Sequence, residues 1–176
     1  MNYTNDVIET LLLSFQPVMG KDYEKYRNHV YRVFLNCRLM DPDDERQKKY
    51  AVVAVFHDMG IWTDHTIDYL DPSVAQLLQY LTAAGRQAWT EECSRMIQWH
   101  HKTSPYSGPY AQTVETFRRA DWIDVSLGTI TYGFDKQAIR RNRRLLPNRG
   151  FHWFLVKKIV KNWFRHPLNP LPMFRR

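Results

Sequence analysis

His29, the adjacent pair His57 and Asp58, and Asp121 stand far apart in this 176-residue chain, yet each falls on or beside the apolar face of a segment with helical periodicity. A second pair, His100 and His101, closes another such segment. A lone histidine on an apolar face is most often a core side chain satisfied by a hydrogen bond. Acids and imidazoles facing inward from four separate segments are a different matter, because a buried carboxylate without a counter-charge is costly. A divalent cation removes that cost. Imidazole nitrogen and carboxylate oxygen suit first-row metals, and a mixed set leaves room for water and substrate. The chemistry such a set supports is hydrolytic: the ion acidifies water and offsets charge growing on a phosphoryl oxygen. Two adjacent ligands near one helix end can both reach the same ion, which explains the placing of His57 beside Asp58.

The elements that must position these groups read as helices. In "DYEKYRNHVYRVFLNC", Tyr26, His29, Val30, Val33, Phe34 and Cys37 recur at three- and four-residue steps. "MDPDDERQKKYAVVAVFHDMG" offers Asp41 as N-cap, Pro42 in the first turn and Gly60 as terminator. Asp71-Pro72-Ser73 opens the next helix, which stops near Gly85, and "AWTEECSRMIQWHHK" carries the histidine pair in its last turn. After a loop rich in Pro, Ser and Gly, "TVETFRRADWIDVSLG" places Val114, Phe117, Asp121 and Val125 on one face. "DKQAIRRNRRLL" and "FHWFLVKKIVKNWFRH" complete the set, and no alternating strand or internal repeat interrupts it. An all-α fold follows: one bundle over residues 1–135, with a basic helical extension over 136–176 packed on the same domain.

Taken in order, "RNHVYRVF" with His29, "FHDMGIW" with His57-Asp58 and "RRADWIDVS" with Asp121 resemble the H…HD…D signature of the HD-domain metal-dependent phosphohydrolases, over roughly residues 20–130. The resemblance implies a helical domain in which His29, His57, Asp58 and Asp121 bind a divalent ion, of the Mn, Fe, Co, Ni, Zn or Mg class. Asp58 would be the catalytic residue, touching the nucleophilic water or bridging two ions. Branches that hold two metals add histidines between the dipeptide and the last Asp, the place where His100 and His101 stand; the alternative is a histidine pair stabilised by a helix C-terminus. "HDMGIW" has no Lys after Gly, no GYP triplet follows, and the acidic residues typical of the (p)ppGpp hydrolase and 5′-deoxynucleotidase types are missing. A small separate branch is implied, acting on a phosphate ester or anhydride of a small nucleotide-like molecule. Some relatives of the same kind instead hydrate small nitriles such as cyanamide.

Arg32 shares the face of His29 and either meets a substrate phosphate or pairs with an acid such as Asp58 or Asp124. Asp124, one turn beyond Asp121, either orients a ligand histidine or pairs with a base such as Arg119. Lys102 stands next to the histidines, where it could meet an anion.

Charge is divided sharply along the chain. Residues 1–135 hold 13 Lys and Arg against 18 Asp and Glu, and residues 136–176 hold 12 against none. A basic block favours an anionic partner: a phosphorylated metabolite, a nucleic acid or a membrane surface. Four arginines within five residues suit backbone phosphates, without interleaved aromatics for base stacking. In the last helix an apolar arc of Leu155, Val156, Ile159, Val160 and Trp163 opposes Lys157, Lys158, Lys161 and Arg165. Docking on the domain or on a second subunit in a homodimer is the simpler use of that arc, and attachment to a membrane surface the other. A non-catalytic binding module for nucleic acid or anionic lipid is the corresponding alternative to an enzyme. No apolar run approaches the roughly 20 residues of a spanning helix, and two cysteines without CxxC spacing suit a reducing, cytoplasmic setting.

Overall fold

The computed structural model describes residues 3–169 and 171–174. Arg175 and Arg176 of the basic extension, and the remaining residues of the 1–135 and 136–176 ranges, Met1, Asn2 and Pro170, lie outside the described residues. Among the described residues the fold is all-α: α1 (Asp6–Met19), α2 (Tyr23–Met40), α3 (Asp44–Phe56), α4 (Gly60–Thr63), α5 (Leu70–Ala83), α6 (Thr90–Trp99), α7 (Ala111–Val125), α8 (Lys136–Leu145) and α9 (Phe151–Arg165). None of these helices is long and apolar enough to cross a membrane.

α3 is the central element. Its last two turns, Tyr50 to Phe56, are buried all round, so a β-branched run with little intrinsic helix preference is helical because neighbours cover every face. α2 lies along α3 and α7, and α6 along α5 and α7. Asn36 Nδ2 donates to the Ala120 carbonyl at 3.2 Å and ties α2 to α7 at the level of the ionisable groups.

Several boundaries differ from the sequence expectation. Asp43, not Asp41, caps α3, its carboxylate accepting from the Arg46 amide at 2.8 Å. Asp41 is buried and takes the Arg46 guanidinium and the Tyr50 hydroxyl instead. α3 stops at Phe56, before Gly60; His57, Asp58 and Met59 form a turn, and Gly60 begins α4. Glycine is required there by contact: a Cβ at Gly60 would lie 2.6 Å from the Tyr69 carbonyl and 2.7 Å from Pro72 Cβ. α1, which the sequence reading does not include, is capped by Asn5, whose side chain accepts from the Val7 and Ile8 amides, and buries Ile8, Leu11, Leu12 and Met19.

α8 and α9 both reach α2. α9 docks by its first turn, with Phe151 buried and Phe154 stacked on Trp62 at 5.4 Å. Of the apolar arc read from the sequence, Leu155 and Ile159 are half-buried, whereas Val156, Val160 and Trp163 are exposed.

Candidate metal centre

Two helices and two turns bring the ionisable groups to one place. α2 supplies His29, the turn after α3 supplies His57 and Asp58, the turn after α6 supplies His100 and His101, and α7 supplies Asp121. On α7 the inward face continues through Asp124, which is buried, in place of the expected Val125, which is only partly so. His29, His57, Asp58, His100 and Asp121 are each no more than 3 % exposed, so their charges have no bulk water to lean on.

His29 Nε2 and His57 Nε2 are 3.0 Å apart. Asp58 Oδ2 lies 3.6 Å from the first and 3.4 Å from the second, and Asp121 Oδ1 lies 3.6 and 3.8 Å from the same pair. On the other side Asp58 Oδ1 lies 3.5 Å from His100 Nε2, and Asp121 Oδ2 lies 4.0 Å from His101 Nδ1. Two groups, His29 with His57 and Asp58, and Asp58 with His100 and His101, are each compact enough to hold a metal ion. Asp58 belongs to both.

The outward nitrogens fix the tautomers. His57 Nδ1 donates to the Ala54 carbonyl at 2.9 Å and His100 Nδ1 to the Ile97 carbonyl at 2.6 Å, and a carbonyl can only accept. His29 Nδ1 donates to Asp124 Oδ2 at 2.7 Å. Each imidazole therefore turns an Nε2 lone pair inward, toward two carboxylates. Lone pairs at 3.0 Å repel unless a cation lies between them. Asp58 Oδ1, His100 Nε2 and Asp121 Oδ2 are buried with no hydrogen-bond partner, a cost that only an added group relieves. An ion bonded at about 2.0–2.2 Å sets its donors about 3.0–3.6 Å apart, and most of the observed separations fall in that range. The residues fit a divalent metal.

The electrostatics agree with that geometry. Burial, together with the neighbouring His29 and His100, drives His57 down to about 3 despite Asp58, so it stays neutral with its lone pair available. Burial raises Asp121 to about 6, with Asp58 and Asp124 adding and His100 and His29 opposing. For Asp58 burial is outweighed by His57, His100 and His29, which hold it well below the ordinary carboxylate range. His100 is raised although burial opposes it, because Asp58 and Asp121 draw positive charge to it.

Around the cluster the structure separates supporting residues from facing ones. Arg32 does not face the centre. Its guanidinium forks onto Asp124 at 2.6 and 2.9 Å and donates to the Leu146 carbonyl at 2.9 Å, so it is committed to a buried ion pair behind His29 and not to a substrate phosphate. Asp124 stands behind His29, held also by Arg143 at 3.2 Å, while Arg119 pairs with Glu115. Lys102 donates to the Phe174 carbonyl at 3.1 Å. Phe151 stacks on the His29 ring at 4.2 Å, the Tyr69 hydroxyl and His101 Nε2 are hydrogen-bonded, and the Phe174 ring lies 5.5 Å from His101. Sequence reading passes over Tyr69, Phe151 and Phe174, since aromatics in loops and end turns carry no spacing signal; Asp124 was visible as the next acid on the Asp121 face. Compared with protein-family models, with curated proteins and with solved structures, the chain gives no match.

Proposed function

We propose that this chain is a metal-dependent hydrolase of the HD-domain kind, cleaving a phosphate ester or anhydride of a small nucleotide-like molecule. One observation carries the reading: buried imidazole lone pairs and carboxylates converge with nothing of the protein between them, while every outward nitrogen of His29, His57 and His100 is anchored. His29, His57, Asp58 and Asp121 would hold one first-row or magnesium ion, and Asp58, His100 and His101 a second, with Asp58 shared. Such an ion supplies Lewis acidity toward water and phosphoryl oxygen. When only the first ion is held, Asp58 Oδ1 would be free to accept the proton of the attacking water, and His100 Nε2, 3.5 Å away, to take it onward. With Arg32 committed to Asp124, Lys102, whose ammonium keeps donors beyond the one on the Phe174 carbonyl, remains to meet the anion, and the basic extension draws it in.

The test is phosphate release from a panel of nucleotides and phosphorylated metabolites with Mn, Co, Ni, Zn or Mg. Activity should appear with at least one ion and fall by a factor of 100 or more, on the order expected for loss of a general base, in Asp58→Asn with the fold kept by circular dichroism. Turnover of cyanamide with no phosphate release from any panel member would replace the reading, and activity indifferent to Asp58→Asn would remove it.

A further inference from the structure

A surface helix ordinarily turns its apolar side inward and its polar side to water. α9 departs from that rule. With about 100° per residue, Phe151, Phe154, Leu155, Lys158 and Asn162 form the side that meets the rest of the molecule, and they are buried or half-buried. Nearly opposite, Trp163, Val156, Val160, Trp153 and Phe164 follow one another around the helix without a polar residue among them. All five are exposed, from 44 % for Val156 to 85 % for Phe164. Two Trp and a Phe standing in water on one arc are far from the scattered single apolar residues that any surface shows.

The neighbouring side of the helix says what covers this arc. Lys157, Lys161 and Arg165 run along its edge, and with Lys158 and His65 they line a cavity of about 240 Å³. Burial lowers the Lys158 ammonium, and Lys161 adds to the effect against Asp22, so positive charge is crowded there. Residues 136–176 contain no acid at all. A second copy docking arc to arc would bring basic edges together, and a nucleic acid would leave the tryptophans and valines uncovered. An anionic bilayer satisfies both halves at once, with aromatic and aliphatic side chains entering the headgroup boundary while ammonium and guanidinium groups meet phosphate.

We propose that α9 is an interfacial anchor that lies flat on an anionic phospholipid surface, seating lipid phosphate in the Lys157–Lys161–Arg165 cavity. At 15 residues the helix is about 22 Å long, too short to span a hydrocarbon core of roughly 30 Å. The proposal does not rest on the metal reading, and its test does not involve catalysis.

The full chain should co-sediment with vesicles of phosphatidylcholine and phosphatidylglycerol but not with phosphatidylcholine alone. Brominated acyl chains should quench its tryptophan fluorescence. Lys157→Glu with Lys161→Glu should lower partitioning by at least roughly 25-fold, taking about fivefold per basic residue at the surface. Trp163→Glu with Phe164→Glu, at exposed positions that leave the core untouched, should abolish binding while circular dichroism stays unchanged. Equal binding to neutral vesicles, no quenching in the unaltered chain, a dimer in sedimentation velocity that Trp163→Glu dissolves, or RNA binding that survives the Trp163→Glu, Phe164→Glu change would each overturn it.

Discussion

Asp124 shows how much of the site's chemistry is set one residue behind it. Its carboxylate accepts from His29, Arg32 and Arg143 together, and His29 and Arg32 outweigh burial to hold it well below the usual carboxylate range. Asp124→Asn should weaken metal binding by about 10- to 100-fold in a calorimetric titration, because the His29 tautomer is no longer enforced. The same change leaves Arg32 buried without its counter-charge, a loss of roughly 3–5 kcal/mol, so the melting temperature should fall by about 10 °C. Asp121 sets the pH response. A carboxyl at about 6 in the folded chain, against about 3.9 unfolded, favours the ion-free fold below about pH 4, and that contribution is lost as pH rises through 6. An ion must displace the proton, so affinity for the ion held by His29, His57, Asp58 and Asp121 should fall by about tenfold per pH unit as pH drops below 6, in titrations across that range. His29, His57-Asp58 and Asp121 were legible because acids and imidazoles on apolar faces are conspicuous. Arg32 was not, since only the fold shows which of two nearby acids it meets.

At the scale of elements, the turn from Phe56 to Gly60 matters most, because it swings His57 and Asp58 toward His29. The Gly60 amide donates to Ser73 Oγ at 3.0 Å, and its missing side chain lets the start of α5 approach. Gly60→Ala should therefore cost about 1–3 kcal/mol by overpacking against backbone that cannot retreat. In thermal unfolding that is a drop of roughly 2–10 °C, and an unchanged midpoint would remove Gly60 from the positioning of the turn. Glycine in the sequence suggested a helix end; only the trajectory of 69–73 reveals it as a contact. Helical periodicity gave α2, α3, α5, α6, α7, α8 and α9 to within a few residues, since an amphipathic face leaves that trace. α1 was passed over, and the exposed arc of α9 follows from its docking by Phe151 and Phe154, which no periodicity specifies.

The molecule as a whole closes over its ionisable cluster. α9 lays Phe151 on His29, and the final turn, Pro172 to Phe174, buries Pro172 and Met173 and brings Phe174 to His101. A fold that hides two acids and several imidazoles from water, with the imidazoles anchored on their outward sides and a carboxylate oxygen of each acid unpartnered, is costly until a cation joins them. The measurement that bears most directly on this is the metal content of freshly purified protein, followed by thermal unfolding before and after chelation. One or two divalent ions per chain are expected, reduced in His57→Ala and Asp121→Ala, with the midpoint rising by about 10 °C when the ion is restored well above its dissociation constant. Protein that carries no ion, takes up none of the first-row metals or Mg when supplied, and unfolds at the same temperature with and without chelator would contradict the account.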